Sequence, residues 1–352
     1  DKDVSIFKTK KGINEDVIKE ISKYKNEPEW MLEYRLKAYK EFSNRPLPSF
    51  GPDLSEIDFN DFTYFIRPSD KVANEWEDVP EEIPAGVTLL VVPDTRKAME
   101  SVVPFFFDYP GKNMRMLGIT GTNGKTTTTN IIRTVLRKAG YKVGLIGTIN
   151  IMIEDEAVEA HNTTPDVVDL QKALFAMKNA GCDYVVMEVS SHALVLNRVA
   201  GCEYDCAVLS NITQDHLDFH KTLENYRDAK SLLFEGLANG AKENKNAVFN
   251  MDDASSEIIK ARTKVNCLTY GKEHTNDIYP ISFNVQAKEM QLKLATPVGE
   301  MDLDLKITGE FNVYNVMSAV ACLLAEKIDK EIICDVLNGF AGVPGRFQLV
   351  EA

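Results

Sequence analysis

Residues 114–128, Met114-Arg-Met-Leu-Gly-Ile-Thr-Gly121-Thr-Asn-Gly124-Lys125-Thr126-Thr127-Thr128, decide the fold. The apolar run from Met114 to Thr120 reads as a buried strand, and Thr126 to Ala139 reads as a helix closed by Gly140. A glycine-rich turn between a strand and a helix is the context a phosphate loop requires. Gly121, Thr122, Asn123 and Gly124 can turn backbone N–H groups toward phosphate oxygens, and the helix start adds positive potential. Lys125 supplies a cation, Thr126 a hydroxyl for Mg2+, and Thr127 continues the phosphate-facing turn. The spacing is tighter than the general G-x-x-x-x-G-K-[ST] pattern. The alternative is a Gly/Asn turn with a solvated lysine, which the flanking strand and helix disfavour.

Working outward, apolar runs alternate with amphipathic segments from Ala85 onward, the pattern of parallel strands joined by helices. Lys142 to Gly147, Asp183 to Val189 and Cys206 to Asn211 read as further strands, while Asp166 to Ala180, Leu223 to Ala238 and Glu310 to Ile328 read as helices. Asp277 to Ile307 alternates polar and apolar residues around Pro297-Val298-Gly299, which predicts a hairpin or small antiparallel patch. The fold class is therefore α/β: a P-loop-type, mostly parallel sheet flanked by helices, with that patch attached.

Composition changes near residue 84. Residues 1–83 hold both tryptophans and 12 of the 31 aromatics but no cysteine or histidine, which points to a segment built for a different core. Within it, Asn14 to Phe42 reads as one or two amphipathic helices interrupted near Pro28, and Pro46 to Pro52 as a loop, making a mainly helical leader. Forty basic against 53 acidic side chains give a net charge of −13, which argues against a nucleic-acid or anionic-membrane surface. Six cysteines form no C-x-x-C pair, as suits a reducing cytoplasm, and no apolar run is long enough to enter a membrane.

Three polar clusters follow the predicted strand ends, where open α/β sheets bind ligands. Glu188-Val-Ser190-Ser191-His192 offers Glu188 as a hard oxygen ligand for Mg2+, with helix capping as the alternative. Asn211 to His220 holds His216, His220, Asp215 and Asp218. Zinc is one reading, but the lack of a thiolate or an H-E-x-x-H spacing beside a phosphate loop favours magnesium and phosphate. His220 alone is expected to be an ordinary hydrogen-bonded surface residue. Asn162-Thr163-Thr164-Pro165-Asp166 suits anion or sugar recognition and equally an ordinary helix N-cap.

Taken together, VVPDTRKA, GITGTNGKTTT, NTTPD, MEVSSHAL, NITQDHLDFH, YRDAKSLLF, GEFNVYNV and GVPGRF make residues 85–352 resemble the Mur ligase family. Within it the strings resemble the MurE type, which adds diaminopimelate or lysine to UDP-N-acetylmuramoyl-L-alanyl-D-glutamate. The resemblance implies an ATP-dependent amide ligase of peptidoglycan precursor synthesis that works through an acyl phosphate, cytoplasmic and monomeric. By motif, Lys125 and Thr126 hold the triphosphate and first magnesium, Glu188 and His216 are magnesium ligands, and Lys230 matches the lysine the family carbamylates, supporting a second magnesium. Asn162, Thr163, Thr164, Ser190 and Arg198 match positions near the UDP-muramoyl peptide, and Asn312 and Arg346 match nucleotide-binding positions. Leu196 stands where some family members carry glutamine.

Residues 1–83 resemble the amino-terminal region of SufB-type iron–sulfur cluster assembly proteins, through KGINEDVIKEISKYKNEPEWMLEYRLKAY, PLPSFGPDL and KVANEWEDVPEEI, though the segment has no thiol to hold iron. The expected organisation is a SufB-like segment over 1–83, a remnant of the Mur ligase amino-terminal domain over 84–112, the central ATP-binding domain over 113–346, and the start of a carboxy-terminal domain over 347–352. A chimeric or truncated, poorly active ligase is one expectation. The rival is a non-enzymatic nucleotide-binding protein that docks a SUF component.

Overall fold

The computed structural model describes residues 7–44, 58, 60–67, 92–160, 162–343 and 345–346. The expected loop at Pro46–Pro52, the composition break near residue 84 and the tail from 347 lie outside the described residues. The chain divides into two compact units, Asp1–Leu90 and Val91–Ala352.

In the first unit, β1 (Phe7–Lys8) precedes α1 (Glu15–Tyr24) and α2 (Glu29–Asn44), and β2 (Ile66–Arg67) pairs antiparallel with β1. Asn14 caps α1 by accepting from Val17 N at 2.9 Å, with Glu15 and Asp16 complementing the positive helix end. The break expected near Pro28 separates the helices. Glu27 clamps it, accepting from Arg35 Nε at 2.8 Å, Arg35 Nη2 at 2.7 Å and Ser22 Oγ at 3.0 Å. Phe7 stacks on Tyr24 with ring centroids 4.0 Å apart.

The second unit opens with α3 (Thr95–Phe106) and continues through β3 (Arg115–Thr120), α4 (Lys125–Lys138), β4 (Val143–Ile146), β5 (Asn150–Ile153), β6 (Glu156–Glu159), α5 (Val167–Asn179) and β7 (Tyr184–Glu188). Then come α6 (Ser191–Val195), β8 (Cys206–Leu209), α7 (Leu217–His220), α8 (Leu223–Leu237), β9 (Asn246–Asn250), α9 (Ser255–Arg262) and β10 (Asn266–Tyr270). The strands form one sheet in the order β10-β9-β8-β3-β7-β4-β5-β6, parallel from β10 to β4 and antiparallel beyond. The chain closes with β11 (Tyr279–Val285), β12 (Met290–Ala295) and β13 (Met301–Leu305), an antiparallel sheet where the hairpin or patch was expected, and with α10 (Phe311–Ala325) and α11 (Lys330–Leu337).

Both faces of the central strands β3, β4, β7 and β8 are covered, which is why they are almost continuously apolar. Leu117, Ile119, Val186, Val208 and Val248 point into a core shared with α4, α10, α11 and the small sheet. Their sequence neighbours Met116, Val185, Met187, Ala207, Leu209, Ala247 and Phe249 point the other way, toward α5, α8 and α9. The period-2 alternation thus assigns each strand residue to one of two cores. α10 is buried almost all round from Asn312 to Leu323, so it is an internal element that nears solvent at its two ends. Among the described residues no helix is long and apolar enough to cross a membrane.

This topology positions the site. β3 lies between β7 and β8, so the loop after β3 opens between the tips of those strands, at Glu188 on one side and Ser210-Asn211 on the other.

Candidate functional site

The loop Gly121–Thr126 leaves β3 and enters α4, with Gly124 at the helix N-cap. Gly121 has φ +143° and Gly124 φ +89°, conformations that L side chains rarely adopt. Space excludes a side chain as well: a Cβ on Gly121 would collide with Ser210 Oγ, and one on Gly124 with Asn315 Oδ1. The β8 tip straps the loop down. Thr122 N donates to Asn211 O at 2.8 Å, Asn123 N to Asn211 Oδ1 at 3.0 Å, and Ser210 Oγ to Asn123 O at 2.6 Å. The first N–H groups of α4 have no intrahelical acceptor and, with the helix dipole, favour an anion there.

Beside the loop lies a cavity of about 140 Å³ lined by Lys125, Thr126, Thr127, Thr148, Glu188 and Arg346, among others. Glu188 does not cap the next helix; Ser190 does that, accepting from Ala193 N at 3.2 Å. The Glu188 carboxylate is 2% exposed and instead accepts from Thr148 N at 3.1 Å and Thr148 Oγ1 at 3.0 Å, which fixes it at the cavity wall. Thr148 Oγ1 also lies 3.1 Å from Thr163 Oγ1.

Two lysines converge on one backbone carbonyl. Lys125 Nζ donates to Gly121 O at 2.8 Å and Thr122 O at 2.9 Å, and Lys230 Nζ reaches the same Gly121 O at 2.9 Å from α8. Lys230 is 1% exposed, with its ammonium nitrogen 4.5 Å from the Tyr226 ring centroid. Burial lowers the pKa of Lys125, with Glu188 and Asp215 opposing. Burial, then the charge of Lys125, pushes Lys230 well below the ordinary lysine range. Among the described residues neither lysine has a carboxylate within ion-pair distance.

His216 sits in the left-handed region at φ +51°, with its ring 4.9 Å from His192 and 6.2 Å from Tyr226. Its Nε2 is 3.5 Å from Asp215 Oδ2, and it does not line the small cavity. His220 is hydrogen-bonded as expected, with Nε2 2.9 Å from Ser191 Oγ, but it is buried rather than on the surface, because α7 folds back against α6 and α8.

A larger cavity of about 660 Å³ adjoins the loop through Asn123, Gly124, Thr127 and Arg346, and holds Asn312 and Asn315 near the start of α10. Asn312 Nδ2 donates to Thr308 O at 2.7 Å while its Oδ1 accepts from Asn315 Nδ2 at 2.8 Å, so the two amides orient each other. Asn315, Thr148, Ser210, Asn211, Tyr226 and Asp252 were not singled out by their own chemistry in sequence. Asn315 lies one helical turn from Asn312, and that spacing was its one signal.

The remaining candidates spread along the crevice. Thr164 is 1% exposed and its hydroxyl is used internally, donating to Glu188 O at 2.9 Å and accepting from Ser190 N at 3.0 Å, so it locks two loops together. Asn162 is exposed and lines neither cavity. Arg198 pairs with Asp166 at 2.9 Å and lines, with Leu196, a separate cavity of about 640 Å³ against α3.

These donors fit a magnesium nucleotide. Glu188 and the Thr126 hydroxyl are hard oxygen groups beside an anion-binding turn. Among the described residues no cluster of three or more His, Cys, Asp or Glu is spaced to hold a metal by itself. A cation here would share its shell with phosphate oxygens and water, as Mg2+ does.

The Mur ligase middle domain matches residues 119–323, which take in the loop, Glu188, His216, Lys230 and Asn312. The chain belongs to the Mur ligase family. It is 44% identical over 271 residues to a UDP-N-acetylmuramoyl-L-alanyl-D-glutamate–2,6-diaminopimelate ligase of Bacillus cereus, covering 76% of this chain and 55% of that one. With the enzyme of the same name from Geobacillus thermodenitrificans the identity is 45% over 268 residues, at the same coverage. A solved structure of a ligase of that name superposes with TM-score 0.67 and 29% identity over 75% of this chain and 54% of the other. A MurF ligase from Thermotoga maritima in complex with ADP shares the fold, at TM-score 0.56 and 20% identity over 74% of this chain and 56% of that one. This Mur ligase chain spans about half the length of the curated relatives it matches.

Proposed function

We propose that the chain carries the ATP-binding and phosphoryl-transfer centre of an amide ligase that extends UDP-N-acetylmuramoyl-L-alanyl-D-glutamate by diaminopimelate, working in the cytoplasm. The observation that carries this reading is the pair Lys125 and Lys230 on one loop carbonyl, with Lys125 lining a cavity that the fixed carboxylate of Glu188 also lines. The choice of substrate rests on the printed names of relatives 44–45% identical to this chain.

In this reading the loop N–H groups and Lys125 hold the β- and γ-phosphates, and Arg346, which lines both cavities, neutralises charge between them. Glu188 and the Thr126 hydroxyl would hold Mg2+, which when bound would supply neutralisation of the phosphate charge. A carboxylate oxygen of the D-glutamate substrate attacks the γ-phosphorus, the bond to the bridging oxygen breaks, and ADP leaves. The amine then attacks the acyl carbon, phosphate departs, and the amine loses a proton. Catalysis here is positioning and charge neutralisation, with no covalent bond to the protein.

Lys230 fits carbamylation. Its amine is buried and shifted toward the neutral form, the state that adds CO₂, and the product carbamate is an anion beside Lys125. The modification would turn two facing cations into an attracting pair and supply an oxygen ligand.

The test is trapping of the acyl phosphate. With Mg-ATP, the UDP-muramoyl dipeptide and hydroxylamine, the chain should release ADP and form the substrate hydroxamate, and Lys125→Ala should form none. ATP bound normally with no hydroxamate produced would defeat the reading.

A further inference from the structure

The far wall of the larger cavity carries a carboxylate that the phosphate chemistry does not use. Asp252 follows β9, which lies two places along the sheet from β3, a lateral step of about 10 Å at the usual strand spacing. Its Oδ2 accepts from Tyr314 OH at 2.8 Å and from Lys272 N at 2.9 Å, so the carboxylate rotamer is set from two directions. Its backbone N donates to Asn250 Oδ1 at 3.1 Å, and Asn250 Nδ2 donates to Ser210 O at 2.8 Å, tying the turn to the strap that holds the phosphate loop. The neighbouring Asp253 is fully engaged, accepting from Ile212 N at 2.5 Å and Ser255 N at 2.9 Å. Asp252 Oδ1 accepts no hydrogen bond among the described residues, and a Cβ on Gly271 would lie 2.8 Å from it. Asp252 is exposed and lines the cavity together with Asp253; with Oδ2 held from two sides and Oδ1 without a donor among the described residues, it brings an acceptor-only group to a wall otherwise rich in amides.

We propose that Asp252, positioned by Tyr314, accepts a hydrogen bond from the nucleoside half of the bound nucleotide and so sets which nucleoside triphosphate this chain prefers. The inference rests on the reading above, that the loop holds the triphosphate. A carboxylate repels phosphate, so its partner is a neutral donor. A nucleoside offers two kinds, the ribose hydroxyls and the exocyclic amine of adenine. Because the carboxylate cannot donate, it rejects a nucleotide that presents an acceptor at that point, which amides would tolerate. Tyr314 is a positioning residue: it touches the carboxylate and not the ligand's reacting atoms.

Equilibrium binding to the whole chain in Mg2+ tests this, with ATP, 2′-deoxy-ATP, 3′-deoxy-ATP, ITP and inorganic tripolyphosphate as probes. Asp252→Ala should weaken ATP about tenfold, equivalent to about 1.4 kcal/mol, and leave tripolyphosphate unchanged. One analogue that the wild type binds poorly should then bind the variant as well as ATP does; which one identifies the donor. Tyr314→Phe, which keeps the ring and the fold, should show the same ligand pattern with a smaller loss. ATP binding unchanged in both variants, an equal loss of tripolyphosphate, or a loss with no analogue restored would each overturn the proposal. Tripolyphosphate binding that ignores Lys125→Ala would instead defeat the phosphate-loop reading, so the two failures are distinguishable.

Discussion

Lys125→Ala perturbs two groups at once, and both effects are measurable. The first is lost phosphate affinity. Lys125 Nζ is held 2.8 Å from Gly121 O and 2.9 Å from Thr122 O, so it is oriented before the ligand arrives and pays little ordering entropy on binding. A charge-assisted hydrogen bond of this kind contributes about 1.5–3 kcal/mol, which is roughly a 10- to 150-fold weakening. Calorimetric titration with Mg-tripolyphosphate reads it directly, with Lys138→Ala as control, since that lysine is exposed at the far end of α4. The second effect is on Lys230. The Lys125 charge is the largest influence after burial that holds the Lys230 pKa down, so removing it should move that pKa up toward the ordinary value. The pH dependence of amine labelling at Lys230, read by peptide mass spectrometry, should shift to higher pH in the variant. Tripolyphosphate affinity equal to the wild type, or an unmoved labelling profile, would refute the shared-carbonyl geometry as the basis of the site.

Lys230→Met should change how stability depends on pH. Between the lowered folded pKa and the ordinary lysine value of 10.5, the unfolded chain binds more protons than the folded one, so stability rises with pH across that window. The slope attributable to one such lysine is at most about 1.4 kcal/mol per pH unit. Thermal melts from pH 7 to 9.5 should therefore flatten in the unmodified variant; parallel curves would contradict the burial argument. Thr148→Val removes the hydroxyl that donates to Glu188 Oε2 at 3.0 Å while keeping the backbone donor. Loss of such an outer partner typically weakens metal affinity 10- to 100-fold, and Mn2+ titration by electron paramagnetic resonance in the presence of ADP would show it. Arg115→Ala takes from Glu326 its cationic partner and leaves the Tyr184 hydroxyl beside it; the Glu326 side chain is 1% exposed and accepts from Arg115 Nε at 2.5 Å and Nη2 at 2.9 Å. Removing one partner of a buried pair costs about 3–5 kcal/mol. The lower end applies because Arg115 is itself 33% exposed, and a loss below 1 kcal/mol in urea unfolding would contradict this.

Much of the fold was legible because its strands are buried on both faces. β3, β7 and β8 are short apolar runs that end in polar clusters, so the residues at their tips can be read from sequence as one crevice. The β5–β6 hairpin was not legible. Its turn is Glu154-Asp155, with Glu154 at φ +54°, and neither residue is the glycine or asparagine that marks such turns. β9 and β10 were missed because each carries only two or three consecutive apolar residues, Ala247-Val248-Phe249 and Cys267-Leu268, too short a run to mark a strand. Thr164 illustrates a different limit: a hydroxyl placed near the crevice by its motif is consumed in joining Glu188 to Ser190, and only the hydrogen-bond partners reveal that.

Lys230 lay between these cases, since its place on α8 carries a residue-level signal independent of the motif. On α8 the buried positions are Tyr226, Ala229, Lys230, Ser231, Leu233, Phe234 and Leu237, and all but Ser231 fall on the i, i+3, i+4 stripe of a helix face turned to the core. Tyr226, Lys230 and Phe234 fall on one line at successive i+4 steps, so the lysine occupies the centre of the apolar stripe. An amine there cannot be solvated. It must lose its charge, find an anion, or be chemically modified, and the partner it has here is a carbonyl it shares with a second lysine. Retaining a cation at that depth costs stability, which a structural role alone would not select for. The cost is understandable if the group is poised to become an anion facing Lys125, and Lys230→Met separates the alternatives: it should stabilise the chain while abolishing any CO₂-dependent gain in metal binding.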